Sequence, residues 1–333
     1  MSRTLRAIAA AALMVAGLLA GAPTAASAAT RPAPADSAVR VASYNILHVT
    51  SGTGKKSWAH RRKALVRTVR AASPDVLLVQ EANTQKWKGT RHIDDVRAIL
   101  APLGYRIANT EFTCTPGCTR GAHVFFKTSR MALSDVPDGP SAGMEGMSVI
   151  ASTDFGSIQD RAVSWAFLTP RGGGRPALYI SVHLPTQKTV DGERLRQAVA
   201  SHLKGWADSL IRRSGLSRAA IVIGGDFNSY AKRQPEGAQK VLAADGLIDA
   251  FQAPVRVNEH YGTVNVTPAT AKYKGFPPRP WYYRNEPTRI DYIFATVQPL
   301  RHEVVLRLTK SGRFNNNYRA SDHNMVMADL KLR

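Results

Sequence analysis

Hydrophobic positions along this chain change spacing as it proceeds, and the changes mark its elements. Residues 41–46, with apolar positions interrupted by Ser43 and Asn45, predict a strand. Ser57 then precedes a stretch with Trp58, Leu65, Val69 and Ala72 near the helical period. Pro74-Asp75 breaks that helix, and residues 76–79 predict a short buried strand. Ile93, Val96, Leu100 and Leu103 predict the next helix, stopped by Gly104. Residues 134–148, rich in Gly, Pro and Met, read as loop. Residues 162–168 and 177–182 predict two strands joined through Arg171-Gly-Gly-Gly-Arg175, a hairpin signal. Leu195, Val199, Leu203, Trp206 and Leu210 mark a long amphipathic helix, with Gly215 past its end. A strand over 219–223 follows, then a short helix around Val241 and a Pro- and aromatic-rich loop from about 254 to 287. Strands close the chain near 290–294, 303–308 and 325–330. Hairpins mixed with β-α alternation imply mixed sheets covered by helices. No linker divides residues 39–333, which read as a single domain.

The first residues do not continue this pattern. Arg3 and Arg6 precede an apolar run over 7–20, and Ala26-Ser27-Ala28 follows as a cleavage signal. Residues 1–28 therefore read as a secretory signal peptide. The run is shorter than the roughly 20 apolar residues that span a bilayer. Residues 29–38, rich in Ala and Pro, read as a disordered leader. The expected location is extracellular, with no stable membrane anchor and no obligate protein partner, the chain acting as a monomer.

Charge narrows the partners. Lys and Arg total 45 against 24 Asp and Glu, giving +21, and the excess is spread along the chain. Removing residues 1–28 deletes two arginines and no acid, leaving about +19. A domain this basic attracts polyanions, nucleic acid above all. Cys114 and Cys118 flank a Pro-Gly turn, and in an exported chain they read as a local disulfide staple.

Candidate chemistry gathers at strand ends. The run from Ala219 to Ile223 leads into Gly224-Gly225-Asp226-Phe227-Asn228. Strand residues two apart point the same way, so Asp226 and Asn228 can share a divalent cation, a water or a phosphate oxygen. The two glycines permit close approach of backbone or ligand. Five more segments repeat the arrangement: Asn45 at the end of the first strand, Glu81 after Gln80, His183 after Ser181-Val182, Asp291 beside Arg289-Ile290, and Ser321-Asp322-His323 before the last strand. Taken singly, each has a plain structural role. Asn45 can cap a turn, Glu81 can cap a helix, and Asp291 can pair with Arg289. Six such segments at strand termini point to one site.

The ordered set SYN, QE, SVH, GGDFN, RIDYIF and SDH resembles the endonuclease/exonuclease/phosphatase superfamily, DNase I-like, in a secreted bacterial form. The resemblance spans about residues 40–333. It implies an α/β fold, the DNase I-like four-layer sandwich, in which two mixed β-sheets pack face to face with helices on the outer faces. It also implies hydrolysis of a phosphate ester by in-line attack of water. Glu81 resembles the family's metal-binding glutamate, with Asn45 beside it and Asp322 a further metal-side carboxylate. Oxygen ligands suit Mg²⁺ first, with Mn²⁺ or Ca²⁺ as substitutes. Asp226 and Asn228 resemble the pair that holds the attacking water and a phosphate oxygen. His323 resembles the catalytic histidine and Asp291 the carboxylate that orients it. His183 resembles the second histidine, which contacts the phosphate or protonates the leaving oxygen. Arg161 is placed where it can contact phosphate. Either Asp226 or His323 takes the proton from water.

Fold does not choose the ester. Charge favours nucleic acid. So does the loop carrying Tyr261, Tyr273, Phe276, Arg279, Trp281, Tyr282, Tyr283 and Arg284, since aromatics beside cations hold single strands. Lys188, Lys232, Arg233, Arg313 and Arg319 add bases near the motifs. The expectation is a nuclease for DNA or RNA with little sequence preference. A sphingomyelinase C or another phosphoesterase is the alternative, and a non-catalytic polyanion-binding protein is the alternative of another class.

Overall fold

A computed structural model describes residues 38–52, 57–108, 121–135, 145–150, 161–230, 236–259, 261–264, 289–308 and 314–332. In chain order the elements are β1 (Ala38–Asn45), α1 (Trp58–Ala72), β2 (Val76–Gln80), β3 (Lys86–Trp87), β4 (Thr90–Arg91), α2 (His92–Leu100), β5 (Tyr105–Ile107), β6 (His123–Lys127), β7 (Met131–Leu133) and β8 (Glu145–Ile150). They continue with β9 (Arg161–Pro170), β10 (Ala177–His183), α3 (Val190–Arg213), β11 (Ala220–Asp226), α4 (Ala238–Ala244), β12 (Ile248–Asp249), β13 (Val255–Val257), β14 (Asp291–Ala295), β15 (Pro299–Val305) and β16 (Met325–Lys331).

Two sheets result. The first runs β13-β15-β16-β1-β2-β6-β5, and the second runs β12-β14-β11-β10-β9-β7 with β8 also paired to β9. Side-chain alternation sorts three apolar layers. Val39 and Val41 face the inter-sheet layer with Leu78, Tyr179, Val222 and Ile293, while Ala42 and Tyr44 face Leu65, Val69 and Val96 of α1 and α2. Ile221 and Ile223 face Leu195, Val199 and Leu203 of α3. The order helix, sheet, sheet, helix is the expected four-layer sandwich, and both sheets mix parallel and antiparallel pairs.

Several boundaries differ from the sequence reading. The first strand begins at Ala38, one residue inside the expected leader. The stretch expected as loop over 134–148 includes the start of β8, whose glycine and methionine obscured a strand that β9 pairs along its whole length. The expected loop over 254–287 opens with β13, a parallel partner of β15. The strand expected over 303–308 starts earlier, at Pro299. The predicted signal peptide, most of the leader, and Cys114 and Cys118 lie outside the described residues. Among the described residues no helix is long and apolar enough to cross a membrane.

Both inner pairs of strands, β1–β2 and β10–β11, are parallel. Their C-terminal ends therefore open at the same edges as the polar motifs. Asn45 stands opposite Gln80, and His183 stands opposite Asp226, which itself stands opposite Asp291 on β14.

Candidate active site

Register places three functional groups abreast. His183, Asp226 and Asp291 occupy equivalent positions on neighbouring strands, so their side chains leave one face of the second sheet together. His183 Nε2 lies 3.5 Å from Asp226 Oδ2. His323, just before β16, brings its Nε2 to 3.7 Å from the same oxygen and its Nδ1 to 2.8 Å from Asp291 Oδ2. The Ser321 hydroxyl accepts the His323 N–H and donates to Asp322 Oδ1, which fixes the turn that delivers the imidazole. Asp291 pairs with His323, not with Arg289; the latter pairs with Asp249 at 2.5 Å.

The first sheet supplies the opposite wall. Asn45 Nδ2 donates to Glu81 Oε1 at 2.8 Å and to Asp226 Oδ2 at 3.0 Å, while its Oδ1 accepts the Leu47 N–H. Glu81 Oε2 accepts the His48 N–H at 2.8 Å. Glu81 has φ 66, a left-handed conformation costly for a residue with a Cβ. Gly121 packs against it so closely that a Cβ there would lie 3.1 Å from Glu81 Cα and N. Two buried histidines hold the same turn: His92 Nδ1 bonds Glu81 O at 3.2 Å and His123 Nε2 bonds Ala82 O at 2.9 Å. Asn228, with φ 48, turns the chain after Asp226, its N–H donating to Asp226 Oδ1 and its Nδ2 to Leu184 O.

Electrostatics follow from this crowding. Burial alone would lower the His323 pKa, but Asp291 and Asp226 outweigh it and raise it to about 10. Burial pushes Asp291 up, against the pull of His323. For Glu81, burial acts upward, yet His183, Asn45, the His48 amide and His323 together hold the carboxyl below its ordinary range. The two carboxylates thus favour the charged form of the buried His323 imidazole.

The donor set suits a divalent cation. Glu81, His183 and Asp226 each offer a ligand atom, all within 4.8 Å of one another, and His183 Nδ1 is buried without a hydrogen-bond partner. Asp226, Asp291 and His323 form a second such group. Asp322 belongs to neither, although it faces Arg61 and Tyr44 electrostatically. Asn45, its oxygen committed to Leu47, presents nitrogen to the two carboxylates in this arrangement.

The two glycines before Asp226 serve packing. A Cβ on Gly224 would lie 2.6 Å from Leu78 Cδ1 and 3.4 Å from Ser43 Cβ, both on the other sheet. A Cβ on Gly225 would collide with Val182 O on the neighbouring strand. They let the two sheets and strands close beneath the site rather than clear room for substrate.

Some expected residues carry no structural account. Lys232, Arg233, Arg313, and Tyr273 to Arg284 of the aromatic loop lie outside the described residues, as does the Arg161 side chain. Lys188 is exposed, four residues after Leu184. Sequence reasoning missed two buried arginines. Arg61 gathers carbonyls of the loop after β1. Arg196 bonds Pro185 O and Gln187 O after β10 and pairs with Glu193 at 2.5 Å, while Glu193 also accepts from the Ser229 hydroxyl. Their signal was position: Arg61 lies three after Trp58 and four before Leu65, and Arg196 lies three before Val199, each on an apolar face.

Residues 42–323 match the model of the Endonuclease/Exonuclease/phosphatase family. No curated protein matches the chain in sequence. Similar solved structures include an endonuclease/exonuclease/phosphatase from Bacteroides vulgatus, 19% identical, TM-score 0.64, covering 89% of this chain and 99% of that one. A mannosyl-6-phosphatase from Bacteroides thetaiotaomicron is 18% identical, TM-score 0.62, covering 88% and 99%. The human Nocturnin catalytic domain, determined with bound sulfate, is 19% identical, TM-score 0.58, covering 89% and 94%. The family match covers every motif from Ser43-Tyr44-Asn45 to His323, and the chain belongs to the endonuclease/exonuclease/phosphatase family of phosphate-ester hydrolases.

Proposed function

We propose that this chain is an exported, Mg²⁺-dependent nuclease that hydrolyses DNA or RNA with little sequence preference. The observation that carries the reading is the placement of Asp226: in register between His183 and Asp291, and bonded across the sheets to Asn45 beside Glu81. Such a carboxylate can take the proton of a water attacking phosphorus in line. His323, whose charged form Asp291 and Asp226 favour, then serves as a cation and hydrogen-bond donor to the phosphoryl group. His183 faces the leaving oxygen. Glu81 would hold the divalent cation, which would polarise phosphoryl oxygens and offset charge on the leaving oxygen, leaving Asp226 to the proton and His183 to the leaving group.

Net charge selects among esters. With a charge of about +19 once residues 1–28 are removed, the domain concentrates polyanions near its surface, whereas a small phosphate monoester gains little from charge spread over a whole domain. The second reading is a phosphomonoesterase, supported by the structural likeness to a mannosyl-6-phosphatase. The deciding experiment offers plasmid DNA, RNA, a sugar phosphate and choline-headgroup lipid, each with and without EDTA. Cleavage of nucleic acid that EDTA stops supports the proposal. Release of inorganic phosphate from the sugar phosphate alone, or of headgroup from the lipid alone, overturns it. Glu81→Ala and His323→Ala should each abolish turnover; near-normal rates in both would remove the site assignment. Cell-free medium carrying the protein without residues 1–28 would support export.

A further inference from the structure

Arg61 is 3% exposed on the apolar side of α1 and reaches five backbone carbonyls. Nη1 donates to Ile46 O at 2.7 Å, Leu47 O at 2.9 Å and Ala320 O at 3.3 Å. Nη2 donates to His48 O at 2.9 Å and Ser51 O at 3.3 Å. Its guanidinium stands 5.3 Å from the centre of the Trp58 ring. Four of the carbonyls belong to the loop that leaves β1 after Asn45. The fifth directly precedes Ser321-Asp322-His323. The same loop turns through Leu47 at φ 58, a conformation leucine keeps only when its surroundings hold it. It then presents the His48 N–H to Glu81 Oε2.

A buried guanidinium costs free energy unless its donors are satisfied. Here its acceptors come from two distant segments, one beside Glu81 and one beside His323. A planar fork can reach both at once; a lysine ammonium, a single point with three donors, cannot. Surface solvation explains none of this, because the group is shielded from water.

We propose that Arg61 is a positioning residue for the metal-binding end of the site: it sets the loop whose His48 amide holds the Glu81 carboxylate ready for a divalent cation. The inference rests on reading Glu81 as the metal-binding carboxylate. Its effect runs through the loop and not through contact with substrate, so it governs cation affinity more than turnover.

The test uses chelator-stripped Arg61→Lys and Arg61→Gln proteins titrated with Mn²⁺ alone by calorimetry, alongside thermal midpoints in EDTA. The expected result is a rise of about 10- to 100-fold in the Mn²⁺ dissociation constant, larger for Gln, as is typical when the support of a ligand is removed. Turnover should recover at saturating Mn²⁺, with the KM for substrate unchanged. A merely structural arginine would lower the midpoint in EDTA and leave Mn²⁺ affinity at the wild-type value, and that outcome overturns the proposal. Should the Gln variant not fold, the Lys variant carries the titration. Hydrogen exchange at the His48 amide of the wild-type protein gives a separate reading: slowing on addition of Mn²⁺ supports the link, and an unchanged rate overturns it. Glu81→Gln is the control for the underlying reading. If it binds Mn²⁺ as tightly as wild type, Glu81 is not the ligand, and the failure lies there.

Discussion

Asn45 Nδ2 lies 3.0 Å from Asp226 Oδ2, a hydrogen bond that crosses from one sheet to the other. The same nitrogen holds Glu81 at 2.8 Å, so one amide spaces two carboxylates. Asn45→Asp replaces that donor with a third carboxylate and sets like charges against one another. We expect its kcat/KM to fall on the order of 100-fold, with Asn45→Ala less affected because it only removes a spacer. Steady-state assays on nucleic acid at fixed Mg²⁺ check the order; an Asn45→Asp rate equal to wild type would contradict it.

His323 depends on Asp291 for its charge. With its pKa raised to about 10, the imidazole is protonated below that pH and loses its proton as pH rises through it. If the protonated form does the work, activity is full on the neutral side and falls on the alkaline side. Asp291→Asn removes the nearest anion, so the alkaline limb should move to lower pH, and turnover should drop by about 10² to 10⁴. A pH–rate profile decides: an unmoved limb means that another group sets it.

Acid stability carries a different signature. His302 is buried, with its pKa lowered to about 3 by burial, then by Arg289 and Arg256; burial likewise lowers His123 to about 4. Unfolded, each titrates near the ordinary value of about 6.5. Below that pH the unfolded chain binds protons that the folded chain refuses, so folded stability declines as pH falls from 6.5 towards 3 or 4. Each is worth a few kcal/mol, on the order of 3. His302→Gln should flatten the slope of unfolding free energy against pH across that window. The slope is the readout, since the substitution also disturbs packing on Phe251.

Much of this architecture was legible because strand and polar motif coincide. The run ending in Asp226 is buried along its whole length, and its apolar residues alternate between two different layers. A buried strand with a polar end announces both a core and a site. The helix over Trp58–Ala72 was legible too, its apolar positions keeping the helical period on either side of Arg61. Short edge strands such as β5 and β7 escaped, because three residues carry no period, and β8 escaped because glycine and methionine weaken the strand signal. The site's carboxylates and histidines could be named from order alone, but not their pairings. Arg289 sits nearer Asp291 in sequence than His323 does, yet only register and the turn at Ser321 bring the imidazole to it. Arg61 stood among Arg62 and Lys63, and residue type gave no hint which of the three points inward.

The glycines before Asp226 give the last prediction, because the two differ in what surrounds them. Gly224 faces the tip of a side chain, Leu78 Cδ1, as its tightest contact. Gly225 faces the carbonyl oxygen of Val182, part of a strand paired in register with its own, and backbone there cannot give way without breaking the β10–β11 ladder. Gly224→Ala should therefore cost about 1 kcal/mol of stability, and Gly225→Ala about 3 kcal/mol or more, the upper end of overpacking effects. His183 and Asp226 end those two strands, so Gly225→Ala should also lower turnover per folded molecule, while Gly224→Ala should leave it nearly unchanged. Chemical denaturation of both variants, with rates normalised to the folded fraction, checks the contrast. Equal stability losses, or a Gly225→Ala enzyme of wild-type rate, would show that the ladder beneath the site yields more easily than its contacts require.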